Sequence, residues 1–145
     1  MNALGPMPPS PLDAALARVG DRWTLLVVAA LLEGPRRFND VLDAVPGIAA
    51  NTLSQRLKHL EREGLVLANP YSQRPPRFAY ELTAAGRELA GALRLLAQWG
   101  ASTSEAAEGL RHDACGTVLE ARWYCPTCGQ VVEEDSGHHD DLRFV

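Results

Sequence analysis

The residues best suited to chemistry lie near the C-terminal end of this 145-residue chain. His112-Asp-Ala-Cys115-Gly116 is matched by Cys125-Pro-Thr-Cys128-Gly129, and nine residues separate Cys115 from Cys125. Each half-site sets two soft or borderline donors three positions apart and follows them with a glycine, a spacing that turns both donors toward one ion. The set reads as a tetrahedral Cys3His site for structural Zn2+: His112, Cys115, Cys125 and Cys128. Asp113, His138 and His139 compete with His112 for the fourth position. The β-prone stretch 117–124 between the half-sites is expected to form a hairpin. Three cysteines cannot pair completely, and the segment lacks the βαβ surroundings of a redox Cys-x-x-Cys pair. A catalytic zinc would need an open position and a general base, and none is arranged nearby. The roughly 30 residues after Leu110 cannot fold on a core alone, whereas structural zinc supplies about 10 kcal/mol or more. The chain carries no nucleophile–base pair, phosphate loop or paired acids, so an enzyme is not expected.

A second set of polar residues is spread over a helix and a loop. In residues 50–63, Leu53, Leu57 and Leu60 form an apolar seam, spaced by four and then three. At 100° per residue the opposite face carries Asn51, Thr52, Gln55, Lys58, His59 and Arg62, with Arg56 on the flank. Asn and Gln make paired hydrogen bonds to adenine, so Asn51, Thr52 and Gln55 are candidates for base edges. Arg56 and Lys58 suit phosphates. Arg74 and Arg77 lie in a loop, 71–77, stiffened by Pro75 and Pro76, which lowers the entropy lost on meeting a phosphate backbone or minor groove. Arg36 and Arg37 complete the candidate DNA-binding residues.

Those side chains must be positioned by the elements around them. Residues 1–10 are a Pro-rich lead-in. A first helix spans 11–19, with Pro11 in its first turn and Gly20 at its end. Asp21 suits the cap of a second helix, 22–32, apolar nearly all round and therefore central to the core. Gly34-Pro35 stops it. A short third helix spans 39–44 with Asn39 as its cap, and Pro46-Gly47 turns the chain into the helix 50–63, closed by Gly64. Strands at 65–70 and 78–82 flank the basic loop, and Thr83 caps a long fifth helix over 84–100. The fold class is mainly α with a small β-hairpin: a winged helix-turn-helix over 11–110, a zinc-ribbon-like β module over 111–132 and an acidic tail over 133–145.

Composition is compatible with this reading. The chain is 46% hydrophobic and 22% charged, as a globular protein with a core should be. Its most apolar stretch, 23–32, is too short to span a bilayer. The first ten residues show no basic and apolar leader pattern, so a cytoplasmic protein is expected. The net charge of −4 argues against nucleic acid only at first sight. Residues 1–100 hold eleven basic and nine acidic side chains, residues 101–145 three and nine. Phosphates are sensed over about 10 Å, so the local distribution decides. Between Arg36 and Arg77 seven basic residues face four acidic ones.

Several motifs in register, DRWTLL (21–26), EGPRRFN (33–39), TLSQRL (52–57), LEREGL (60–65) and YELTAAG (80–86), resemble the HxlR family of bacterial winged-helix regulators, relatives of the MarR type. The resemblance covers about 11–100. It implies a sequence-specific transcriptional regulator that binds double-stranded DNA as a homodimer through its terminal helices, on a roughly palindromic operator. Residues 82, 89, 93, 96 and 99 (four Leu and a Trp) form an apolar stripe that favours pairing of two copies through the first and fifth helices. A small-molecule effector fits that family, although no residue marks its pocket. Two departures stand out. Ser10 replaces the cysteine that several members carry before the first helix, and Ala49-Ala50 replaces a Ser cap followed by Pro, a loss of about 1 kcal/mol. A different function, an adaptor that docks on the transcription machinery without reading DNA, would use the same winged helix and zinc ribbon, its acidic last third suiting a basic protein partner.

Overall fold

The computed structural model describes residues 8–105 and 108–132. The acidic tail, with His138 and His139, and most of the Pro-rich lead-in lie outside the described residues. The chain forms two compact units, Met1–Leu93 and Arg94–Val145. The boundary expected near Leu110 therefore falls inside the second.

Local capping chemistry starts the helices of the first unit. In α1 (Pro11–Val19) the Ser10 hydroxyl accepts the Asp13 N–H at 3.1 Å, with Pro11 in the first turn. Asp21 opens α2 (Arg22–Leu31) by accepting the N–H of Thr24 at 3.0 Å. Strand β1 (Arg36–Arg37) precedes α3 (Phe38–Ala44). Here the sequence reading needs correction. The helix starts one residue earlier than expected, and its cap is the Asp40 carboxylate reaching back to the Arg37 N–H at 3.2 Å rather than Asn39. Next comes α4 (Ala50–Arg62), with Gly64 just beyond it at φ +70°. The core is assembled where these helices meet: Val27 and Val28 of α2, Val41 of α3, and Leu53, Leu57 and Leu60 of α4 are all within 1% of complete burial.

A three-stranded sheet of order β1-β3-β2 lies beside these helices. Strands β2 (Val66–Gln73) and β3 (Pro76–Leu82) pair antiparallel from Val66–Leu82 out to Gln73–Pro76, with a slip between Pro70 and Ser72. The hairpin is longer than expected, and most of the supposed loop is strand, with only Arg74 and Pro75 at its tip. Pro70 is tolerated because β2 is an edge strand, where a missing N–H breaks no ladder on its open side. β1 pairs with the other edge of β3, Arg36 opposite Tyr80 and Arg37 opposite Ala79. Two residues carry no periodicity, so nothing in the sequence announced this strand.

The expected single helix over 84–100 is two: α5 (Ala84–Arg87) and α6 (Ala90–Ser102). Between them the Leu89 N–H bonds the Gly86 carbonyl, three residues back, and tightens the turn. The apolar stripe is divided as a result. Leu82 is buried and Leu89 and Leu93 pack on the core of their own unit, while Leu96 and Trp99 are exposed.

In the second unit an isolated antiparallel bridge joins Arg111 to Val118, and strands β4 (Trp123–Cys125) and β5 (Gln130–Val132) pair with each other. The hairpin expected within 117–124 is not formed. Each half-site instead sits at the turn of its own short antiparallel pairing.

The junction after α4 leaves no room for a side chain on Gly86. A Cβ there would lie 2.2 Å from the Leu65 carbonyl oxygen and 3.1 Å from Leu82 Cδ2. Overpacking of this kind costs about 1–3 kcal/mol. Gly86→Ala should therefore lower the urea midpoint of unfolding clearly; an unchanged midpoint would show that the junction yields freely.

Candidate nucleic-acid interface

The roll of α4 about its axis decides which of its side chains are offered outward. Leu53, Leu57 and Leu60 are at most 1% exposed, and Asn51, Gln55, Lys58 and Arg62 on the other side are exposed. Thr52 is half-buried. Ala49 gives α4 no side-chain cap, and the Asn51 Oδ1 accepts the Thr52 N–H at 2.9 Å, satisfying one of the free donors of the first turn.

Contacts to α1 and α2 flank the exposed face. His59, expected to face outward, turns its Nε2 to the Arg18 carbonyl at 2.7 Å. The Arg18 guanidinium donates to the Glu63 carboxylate at 2.6 Å and to the Glu63 carbonyl at 2.9 Å, supplying a cation at the C-terminus of α4. That pairing, with weaker pulls from His59 and Arg62, holds the Glu63 carboxyl below its ordinary range. Arg56, read from sequence as a phosphate ligand, sits 3.3 Å from the Asp21 carboxylate and is two-thirds buried. Asp21 in turn is held below its ordinary value first by the Thr24 N–H, then by the Arg56 charge and the Thr24 hydroxyl.

The arginines before α3 diverge. Adjacent strand residues point to opposite faces. Arg36 turns inward, donating to the Ala30 carbonyl at 2.9 Å and pairing with Glu33, so its guanidinium serves the end of α2. Arg37 is exposed and stacks 4.6 Å above the Tyr71 ring of β2. Arg37, Asn39, Asp40, Tyr71, Arg77 and Phe78 line a cleft of about 560 Å³ between α3 and the hairpin. Arg77 is exposed on β3, and Arg74 is exposed at the tip. Tyr71 and Phe78 were not singled out from the sequence; aromatic residues bordering a basic loop were the available signal.

The candidate metal donors lie in the second unit. His112 Nδ1 is 3.3 Å from Cys115 Sγ. Hydrogen bonds, from Thr117 foremost and then His112, favour the Cys115 thiolate. Cys125 is likewise lowered, chiefly by the Cys128 N–H, while the Cys128 thiol is raised by its neighbour. Among the described residues no three His, Cys, Asp or Glu side chains converge where an ion could sit. No helix among them is long and apolar enough to cross a membrane.

The profile of the HxlR-like helix-turn-helix family matches residues 18–108. An HTH-type transcriptional regulator of Mycobacterium tuberculosis is 42% identical over 122 residues, 81% of this chain and 77% of that protein. The HTH-type transcriptional regulator YtcD of Bacillus subtilis is 34% identical over 91 residues, 63% of this chain and 72% of its own. The crystal structure of YtcD superposes with a TM-score of 0.61 over 66% of this chain and 97% of the solved one. A MarR-family transcriptional regulator of Porphyromonas gingivalis, 29% identical, superposes with a TM-score of 0.59 over 62% of this chain and 88% of that one.

The Asp21 contacts set an acid dependence. Its folded-state pKa lies below the ordinary 3.8, so its contribution is complete at higher pH and is lost as pH falls through that value toward the folded one. Asp21→Asn keeps a capping side chain but loses the charge. The stability gap between the parent and this variant should narrow from about pH 5 to pH 3. Parallel curves in thermal melts over that range would remove Asp21 from the acid response.

Proposed function

The chain belongs to the HxlR-like helix-turn-helix family, and we propose that it is a DNA-binding transcriptional regulator acting as a homodimer on an inverted-repeat operator. The observation that carries this reading is the two-faced α4, anchored by three leucines and open along Asn51, Gln55, Lys58 and Arg62. A helix with exposed amide side chains near its N-terminus suits the major groove, where Asn and Gln pair with adenine edges. Thr52 stands beside them for base edges, and Lys58 suits phosphate. The hairpin offers Arg74 and Arg77 to the backbone or minor groove, with Arg37 alongside, braced by Tyr71. Arg36 and Arg56 act from behind, fixing the ends of α2 and the flank of α4.

Pairing of two copies is supported by apolar side chains that each unit leaves uncovered. On α1, Leu12 and Leu16 are 60% and 51% exposed; on α6, Leu96 and Trp99 are 51% and 67% exposed. Apolar residues at helical spacing mark an association face on each of these helices. Two-fold pairing would set the recognition helices about one DNA turn, 34 Å, apart.

Selection of bound duplexes from a random pool, followed by gel shifts, tests the reading. Affinity for the selected repeat should fall with salt at a log–log slope of several units. Asn51→Ala or Gln55→Ala should cost about 1–3 kcal/mol on the selected site and relax the base preference at one position per half-site. Arg77→Ala should weaken all duplexes alike and reduce the salt slope by about one. Equal affinity for random and selected duplex at moderate salt would sink sequence-specific reading. Trp99→Glu, which places a charge on the exposed stripe, should sediment as a monomer and bind the full repeat no better than a half-site; a dimer of unchanged strength would exclude α6 from the interface.

A further inference from the structure

The second unit holds a pair of turns that the DNA-binding reading leaves unused. In the first, the Gly116 N–H donates to the His112 carbonyl at 2.7 Å and Gly116 has φ +69°. In the second, the Gly129 N–H donates to the Cys125 carbonyl at 2.9 Å and Gly129 has φ +67°. Both turns are closed by antiparallel pairing, Arg111 with Val118 around one and Cys125 with Gln130 at the base of the other. The chain has built the same local structure twice. Each copy presents its first donor at the strand end, its second in the turn, and then a left-handed residue that glycine adopts without strain.

These turns have no core beneath them. Not one described residue from 108 to 132 is buried, and Trp123, Tyr124, Val118 and Val131 are all more than 40% exposed. About 25 residues with that exposure cannot offset the entropy of ordering two hairpins by apolar burial. Some other link must hold them.

We propose that the two turns close on one structural Zn2+, bound by His112, Cys115, Cys125 and Cys128. Three thiolates and an imidazole satisfy a closed tetrahedral zinc site, and the x-x spacing within each pair is that of zinc-binding turns. Nδ1 is the histidine nitrogen facing Cys115, at 3.3 Å from Sγ, and is the nitrogen assigned to the metal. The two donor pairs stand on separate turns and no three of these donors converge among the described residues, so the ion must draw the two turns together as the joint between them. Its binding and the folding of this module are one event. A Cys125–Cys128 disulfide would explain only the second turn and leave His112 and Cys115 without a task.

The test uses the whole 145-residue chain, prepared without a metal-binding tag and under reducing conditions. Atomic emission should find about one zinc per chain, and cobalt substitution should give the intense thiolate-to-metal bands of a tetrahedral site. Chelation should erase the near-ultraviolet signal of Trp123, compared against a Trp123→Phe control, while the helical signal of the first unit persists. Cys115→Ser and Cys125→Ser should each lose the ion to a chelator that leaves the parent loaded. His112→Ala should weaken cobalt binding while its thiolate bands remain, and Asp113→Asn should change neither. No metal after reconstitution, undiminished metal affinity in His112→Ala or Cys115→Ser, or half an ion per chain, which marks a site shared between two copies, would each overturn the proposal. Metal content is read without DNA, so these outcomes are independent of the regulator reading.

Discussion

Burial of Leu53, Leu57 and Leu60 against α2 governs what the first unit can present. Each leucine gains about 1.5–3 kcal/mol by leaving water. A roll of α4 by one residue, about 100°, would carry all three leucines off the core and set Ser54, Lys58 and Glu61, or Thr52, Arg56 and His59, in their place, where a polar group has no partner. That asymmetry is far larger than any pair on the flanks. The Arg18–Glu63 and Asp21–Arg56 contacts are partly exposed, so solvent screens them and each adds little to stability. Their importance is geometric: one holds the end of α4 to α1, the other holds its flank to the start of α2.

The end of α4 is joined to the base of the hairpin through a small set of backbone contacts. The Thr83 hydroxyl donates to the Gly64 carbonyl at 2.7 Å and accepts the Gly86 N–H at 3.1 Å, and the Thr83 N–H reaches the Leu65 carbonyl at 3.0 Å. One threonine therefore caps α5 and binds the turn that follows α4. Gly86 sits against the same carbonyl, which explains why α5 is short: its first turn is held to the sheet before the chain leaves along α6.

Much of this was readable from the residues. Ser10-Pro11, Asp21, the leucine seam and Gly64 mark helix limits by chemistry that acts over three or four residues, and the structure reproduces those limits within a residue or two. The failures have a common cause, dependence on partners distant in sequence. β1 exists because β3 offers it an edge, and the strands around residues 71–77 extend because each completes the other. An arginine reads the same in sequence whatever partner the fold gives it. Arg36 and Arg56 were grouped with Arg37, Arg74 and Arg77 because Ala30, Glu33 and Asp21 are neighbours only in three dimensions. His59 was placed outward for the same reason. In the second unit the donor spacing was plain, whereas the pairings around the turns, a single bridge at one and three residue pairs at the other, were too short to show.

The two-residue strand β1 also has a mechanical meaning. Its consecutive arginines grip different bodies: Arg36 the last turn of α2, Arg37 the aromatic ring on the hairpin. Its ladder to β3 ties both to one backbone segment. A tilt of the hairpin at its base would therefore work against the Arg36 bond to the last turn of α2 as well as against the hairpin's own ladder to β1. Strain at either end is thus shared with the other, as through a short strut.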